Sequence, residues 1–199
     1  MKFLRDVKMN TVKKIIAECA MVIPGVLEQK SSGKVLCTYD AVLPNQITTN
    51  GFIREYGTLQ RAQTDSTPFL ETGDVIIKRL NPDCAVVFED KSVRAVPTAN
   101  LFVIRPYTDI LDPYYLAFML ESSGMLKRIS QRSGIETIVS AVTVNQIQNS
   151  EIPLPSLKIQ RNLGNLWNCA KKRNSLLQEM INENGRLLQS LSRKLYFNT

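Results

Sequence analysis

Ser156-Leu-Lys-Ile-Gln-Arg-Asn-Leu-Gly-Asn-Leu-Trp-Asn-Cys-Ala-Lys-Lys-Arg-Asn-Ser-Leu-Leu-Gln-Glu-Met-Ile-Asn-Glu-Asn-Gly-Arg-Leu-Leu-Gln-Ser-Leu-Ser-Arg-Lys-Leu-Tyr196 runs without a proline and decides the architecture. Steps of four and three residues from Ile159 pass through Leu163, Leu166, Ala170, Arg173, Leu177, Met180, Asn184, Leu187, Leu191 and Lys194; eight of these eleven positions are apolar. Leu176, Ile181, Leu188 and Leu195 widen the stripe on its flanks. Ser156, directly after Pro155, is a good helix-capping residue. The spacing predicts a single helix of about 36–40 residues, roughly 55 Å long at the standard rise.

A domain built from the preceding 155 residues, roughly 30–35 Å across, is too small to cover so long a stripe. Part of the seam is therefore expected to meet a second helix, through Leu163, Leu166, Ala170, Leu177, Met180, Leu187 and Leu191, with Asn184 as a candidate polar pair setting orientation. The charge divides at the same place. The 199 residues carry a formal +7, of which +6 falls in residues 156–199, leaving residues 1–155 almost neutral. A basic helix can also be an ordinary solvated face, so the charge alone does not name a partner.

Upstream, continuous apolar runs with strand chemistry occur at Val35–Tyr39, Asp74–Ile77, Ala85–Phe88 and Leu101–Arg105, and apolar and polar residues alternate between Ser92 and Pro97. Helical signals follow. Asp112-Pro113 reads as a cap with proline at the first helical position, and Gly124 as the stop. A short helix is expected from Met125 to about Gln131, and Thr143-Val-Asn-Gln146 is a capping box that opens another. The two prolines of Glu151-Ile-Pro-Leu-Pro155 suit an extended edge segment. The expected class is α+β: a mixed or antiparallel β-rich domain with short helices, over residues 1–155, then one long helix over 156–199.

The chemistry is defined by what is missing. There is no histidine, which excludes imidazole acid–base catalysis, Ser-His and Cys-His nucleophile pairs and zinc sites that need an imidazole. Cys19, Cys37, Cys84 and Cys169 form no C-x-x-C, so free thiols buried in a reducing compartment are expected, with no metal site. Ile15–Val26 is interrupted by Glu18, Pro24 and Gly25, unlike a signal peptide, and no apolar run reaches membrane-spanning length; a soluble cytoplasmic protein is expected. Asp112-Pro-Tyr-Tyr115 imitates the loop of amino-methyltransferases, but no glycine-rich turn for a methyl donor lies upstream, and capping explains it better. Pro82-Asp83 with Glu89-Asp-Lys91 imitates a metal-dependent nuclease. One apolar strand separates these carboxylates, however, placing them roughly 20 Å apart, too far to share a metal. No phosphate-binding glycine loop occurs, and a binding role is the default expectation.

Taken in order, Gly73-Asp-Val-Ile-Ile-Lys-Arg79, Pro97-Thr-Ala-Asn-Leu-Phe-Val-Ile-Arg105, Asp112-Pro-Tyr-Tyr-Leu-Ala-Phe-Met-Leu120, Ser133-Gly134, Val142-Thr-Val-Asn-Gln-Ile147 and Ile152-Pro-Leu-Pro-Ser-Leu-Lys-Ile-Gln160 resemble the DNA-specificity (S) subunit of type I restriction–modification systems. The detailed match covers about residues 70–199. The resemblance implies a target-recognition domain without catalysis or cofactor, followed by a helix that pairs with a second helix and acts as a ruler between two half-sites. The partners it implies are double-stranded DNA, an adenine methyltransferase (M) subunit and a restriction (R) subunit. The family pattern has two recognition domains and two helices; this sequence carries one of each, so a homodimer or a half-subunit needing another half is expected, with a split palindromic target.

Contacts to DNA cannot be carried over by motif, because recognition loops vary with the target. Side-chain chemistry nominates three turn-rich segments: Arg61, Gln63 and Thr64; Lys78, Arg79 and Asn81; and Lys127, Arg128, Gln131 and Arg132. Arginine and lysine suit guanine edges and phosphates, and the amides suit adenine. Each segment could equally be a solvated loop. The non-nucleic alternative is a coiled-coil adaptor that displays a β-rich module.

Overall fold

The computed structural model describes residues 11–29, 35–62, 64, 66–131 and 141–197. Its elements in chain order are β1 (Val12–Ile15), β2 (Ala20–Pro24), β3 (Cys37–Val42), β4 (Gly57–Arg61), β5 (Val75–Lys78), β6 (Ala85–Val87), β7 (Ala95–Pro97), β8 (Leu101–Pro106), α1 (Pro113–Ser122), α2 (Met125–Gln131), α3 (Val144–Gln148), β9 (Glu151–Leu154) and α4 (Leu157–Phe197). Among the described residues three sheets form, in the orders β1-β9, β2-β8-β5-β6 and β4-β3-β7. Every pairing is antiparallel except that of β3 with β7.

The four-stranded sheet is the middle layer, and its sequence says why. Val75 and Ile77 of β5, with Phe102 and Ile104 of β8, join the core shared with α1, α2, α3 and β9. Their alternates Ile76, Leu101 and Val103 join a second core on the opposite face. A sheet covered on both sides wants an unbroken apolar run, and these strands have one. Burying each of Ile76 and Ile77 completely stabilises the fold by about 1.5–3 kcal/mol.

The motif residues Asp74 and Arg105 meet across this layer. Arg105 Nε donates to Asp74 Oδ1 and Nη2 to Asp74 Oδ2, both at 2.8 Å, and Nη2 also donates to the Phe69 carbonyl at 2.9 Å. Asp74 in turn accepts from the Glu71 amide. The bond to Asp74 holds the guanidinium above its ordinary pKa despite burial. These two residues of the family-like series therefore lock the sheet and its preceding turn.

Three corrections to the sequence reading arise here. Strands β1, β2 and β4 go beyond the sequence expectation; β2 takes up Ala20–Pro24 of the Ile15–Val26 run and pairs with β8. The long helix spans 41 residues, about 62 Å at the standard rise, slightly beyond the predicted range. Cys19 and Cys84 are buried thiols as expected, and burial pushes Cys84 up to about 12, but Cys37 is half-buried and Cys169 lies exposed on α4.

Candidate nucleic-acid interface and stalk

The three nominated segments fall on different supports. Lys78, Arg79 and Asn81 lie together at the β5–β6 turn, where Asn81 adopts a positive φ of 46°. Lys78 is largely covered and ion-paired with Asp83 at 3.1 Å. The Arg79 amide donates to the Asn100 carbonyl at 2.8 Å, its carbonyl accepts from the Val142 amide at 2.9 Å, and its side chain is exposed. Leu80 forms a bridge with Ala141. The β5–β6 turn is thus stitched to the segment that enters α3, downstream of α2.

On α2, Lys127 and Arg128 are exposed. Arg128 Nη1 donates to the Ser123 carbonyl at 2.9 Å, closing one of the free carbonyls at the end of α1. Gln131 is the last residue of α2; its side chain and Arg132, like Ser133-Gly134, lie outside the described residues. The first segment sits on the other sheet. Arg61 ends β4, is half-buried, and its Nη1 donates to the Leu27 carbonyl at 3.2 Å, while its buried Nε meets no hydrogen-bond partner among the described residues. Thr64 bonds to Ser66 and Thr67 within its own turn, and Gln63 lies outside the described residues. The structure therefore joins the second segment to the approach of α3 and leaves the first on a separate sheet.

The catalytic look-alikes resolve into structure. Asp112 caps α1 by accepting from the Tyr115 amide at 2.9 Å, and Tyr115 Oη donates to the Pro153 carbonyl of β9 at 2.7 Å. Asp83 is held by Lys78, and Glu89 by Tyr114 and by Lys172 of α4. Among the described residues no group of three or more His, Cys, Asp or Glu side chains could hold a metal ion. No helix among them is long and apolar enough to cross a membrane.

The stalk α4 is docked at its start and exposed beyond. Gln160 is 1% exposed; its Oε1 accepts from the Asp112 amide at 3.0 Å, and its Nε2 donates to the carbonyls of Ile110 at 3.1 Å and Pro155 at 2.9 Å. Gly164 lets the helix come close to α1: a Cβ there would lie 2.7 Å from the Tyr115 amide and 2.9 Å from Asp112 Oδ1. Among the nominated seam residues, Leu163 packs instead against the main core, with Trp167 beside it, because it falls in the docked turns. Ala170 is half-buried at the edge of that contact. Leu166, Leu177, Met180, Leu187 and Leu191 are between 48% and 69% exposed, and Asn184 is exposed among them. Sequence reasoning missed Gln160 and Gly164 as anchoring residues; a buried glutamine and a helical glycine only gain meaning once α1 is their neighbour.

No family model matches the sequence. A putative type I restriction enzyme MjaX specificity subunit from Methanocaldococcus jannaschii is 25% identical over 101 residues, which are 47% of this chain and 23% of that protein. Among solved structures, one from a study of complex assembly and conformational transition of the type I R-M system superposes on 94% of this chain and 48% of its own, with a TM-score of 0.68 at 18% identity. The HsdS subunit from Thermoanaerobacter tengcongensis covers 91% of this chain and 47% of its own, with a TM-score of 0.64 at 18% identity. The type I S subunit from M. genitalium covers 98% and 48%, with a TM-score of 0.62 at 13% identity. At such identities the superpositions speak for the fold alone. In sequence over its matched part and in fold over nearly all its length, the chain is similar to type I restriction–modification specificity subunits, and it spans about half the length of the solved ones.

Proposed function

We propose that this chain is a sequence-specific DNA recognition subunit of a type I restriction–modification system. It directs an adenine methyltransferase subunit and a restriction subunit to a split target. The observation that carries this reading is the likeness of fold, which takes in the β-rich head and the long stalk as one unit. The head, residues 1–155, serves as the target-recognition domain; α4 serves as the spacer, pairing with a second stalk along Leu166, Leu177, Met180, Leu187 and Leu191. Two copies of the chain would then supply two heads and two stalks. Arg79, in the same turn as Asn81, and Lys127 and Arg128 on α2 offer exposed cationic side chains for phosphates or guanine edges.

The test is to co-express the chain with the methyltransferase subunit and map N6-methyladenine across a sequenced genome. A single split motif with matching halves is expected. A complex that assembles and methylates no defined sequence would overturn the reading. Duplex binding should also weaken steeply with salt, since neutralised phosphates release counterions, whereas a protein-only adaptor would show no DNA-dependent change in mass by light scattering.

A further inference from the structure

Eleven residues after Gln160, about 16 Å along the helix, α4 is held to the head a second time. Lys171 Nζ donates to Glu121 Oε1 of α1 at 2.6 Å and to the Ala85 carbonyl at 3.0 Å. Glu121 Oε1 also accepts from the Ala85 amide at 2.7 Å. Ala85 opens β6, the edge strand of the four-stranded sheet, so among the described residues its outward amide and carbonyl meet no further strand. The ammonium and the carboxylate together fill that vacancy, one on each backbone group. Both side chains are well covered, 14% exposed for Lys171 and 18% for Glu121. Lys171 also lies 4.5 Å over the Trp167 ring.

A third element closes over the pair. Gly51 has a φ of 71°, and a Cβ built there would fall 2.1 Å from Lys171 Nζ and 3.1 Å from the Ala85 carbonyl oxygen. Only glycine meets both the conformation and the clearance. Past Lys171 the helix leaves cover: Lys172 to Asn174 are exposed, and so is every described side chain from Leu176 outward. One anchor would let a helix pivot. Two anchors about three turns apart fix its direction, and beyond the outer one the contacts to the head, the Lys172–Glu89 pair and the flank of the 48–54 segment, are made by largely exposed side chains.

We propose that Lys171 and Glu121, joined across the free edge of β6 at Ala85, are positioning residues that set the angle at which the stalk leaves the head. The consequence for DNA rests on the function proposed above: that angle decides where each head lies relative to its mate, hence how many base pairs separate the half-sites.

The angle can be measured without DNA. Spin labels at cysteines introduced at Thr58 and Gln189, with Cys37 and Cys169 replaced by serine and the labelled full-length chain diluted in unlabelled chain, report the head-to-stalk distance. A single narrow distribution is expected for the parent. Lys171→Met, and separately Glu121→Gln, should broaden it about twofold or displace it while the circular dichroism spectrum stays folded, because each leaves the other group buried without its counter-charge. If only one variant folds, that variant decides. Folded variants with the parent distribution overturn the proposal, as does loss of folding in both, which would make the pair a core element with no separable effect on the angle. With the methyltransferase present, the same variants should methylate targets whose spacing differs from the parent motif. A parent complex that methylates nothing defined would refute the functional reading and leave the distance result to stand or fall by itself.

Discussion

The inner and outer parts of α4 share one helix and one apolar period but obey different physics. From Leu157 to Lys171 the helix is specified by polar fit: Gln160 serves three backbone groups, Gly164 admits the first turn of α1, and Lys171 completes a sheet edge. From Lys172 outward it leaves leucine, isoleucine and methionine about half exposed or more, although the head segment 48–54 flanks it as far as Asn182. Directional contacts fix one docking geometry. A greasy seam gives adhesion and waits for a matching seam. Periodicity in sequence reports both parts alike and cannot tell which neighbour each has.

The largest expected effect separates the two parts by assembly state. Leu177→Glu or Leu187→Glu places a charge in the exposed seam, where its burial against a second stalk would be strongly unfavourable. Light scattering should register a change from dimer to monomer, with the melting temperature of the head unaltered. An unchanged mass would remove the second stalk from the account. The corresponding change in the inner part, Gln160→Ala, should leave the mass alone and unfold the protein more easily. It strands the Asp112 amide and two carbonyls, a loss of about 2–4 kcal/mol if each unmet group costs about 1 kcal/mol or slightly more. Denaturant titration measures it, with Gln178→Ala on the outer part as the near-neutral control.

The two helical glycines sharpen the same contrast with a single substitution. At Gly164 an added methyl collides with backbone and with Asp112, so Gly164→Ala should destabilise by about 1–3 kcal/mol. At Gly185 nothing lies within 4 Å, so Gly185→Ala should stabilise by about 0.5–1 kcal/mol through helix propensity alone. Opposite signs in urea unfolding are expected. Equal signs would mean that the helix does not approach α1 as closely as described.

What could be read from sequence follows from how local each signal is. Asp112-Pro113 and Thr143…Gln146 carry their own hydrogen-bond partners within four residues, and both caps form as expected. The strands of the middle layer announce themselves because both of their faces are buried. β1 and β4 do not. Val12-Lys-Lys-Ile15 becomes a strand only by pairing with Glu151–Leu154 at the far end of the head, and Gly57-Thr-Leu-Gln-Arg61 buries Leu59 alone. Side-chain chemistry could nominate exposed Arg79, Lys127 and Arg128, but Lys78 is taken by Asp83 and Arg61 is tied to the Leu27 carbonyl, ties invisible without a fold. The Lys171–Glu121 joint links residues 50 apart, and no spacing rule reaches that far.

The smallest expected effect lies at the boundary between the two parts, and it concerns acid. Glu89 receives the Tyr114 hydroxyl and stands 3.4 Å from the ammonium of Lys172, the first residue past the outer anchor. Burial works to raise this carboxyl, but the Tyr114 hydrogen bond and Lys172 outweigh it, so its pKa falls below the ordinary carboxylate value. A carboxyl depressed on folding contributes stability that is fully present above its unfolded pKa, about 4.3, and is lost as pH drops through the lower folded value. Glu89→Gln should therefore melt slightly below the parent at neutral pH, with the gap closing as the solution is taken below pH 4. Because Glu89 and Lys172 are both about half exposed, salt screens the pair and the gap should also narrow at high ionic strength. Lys171→Met should behave differently, since a covered pair is screened far less and its defect should persist in salt. If both variants lose their effect together as salt is raised, the joint at Ala85 is no more sheltered than the contact beside it, and the division of α4 into a fitted part and an adhesive part begins earlier along the helix than Lys171.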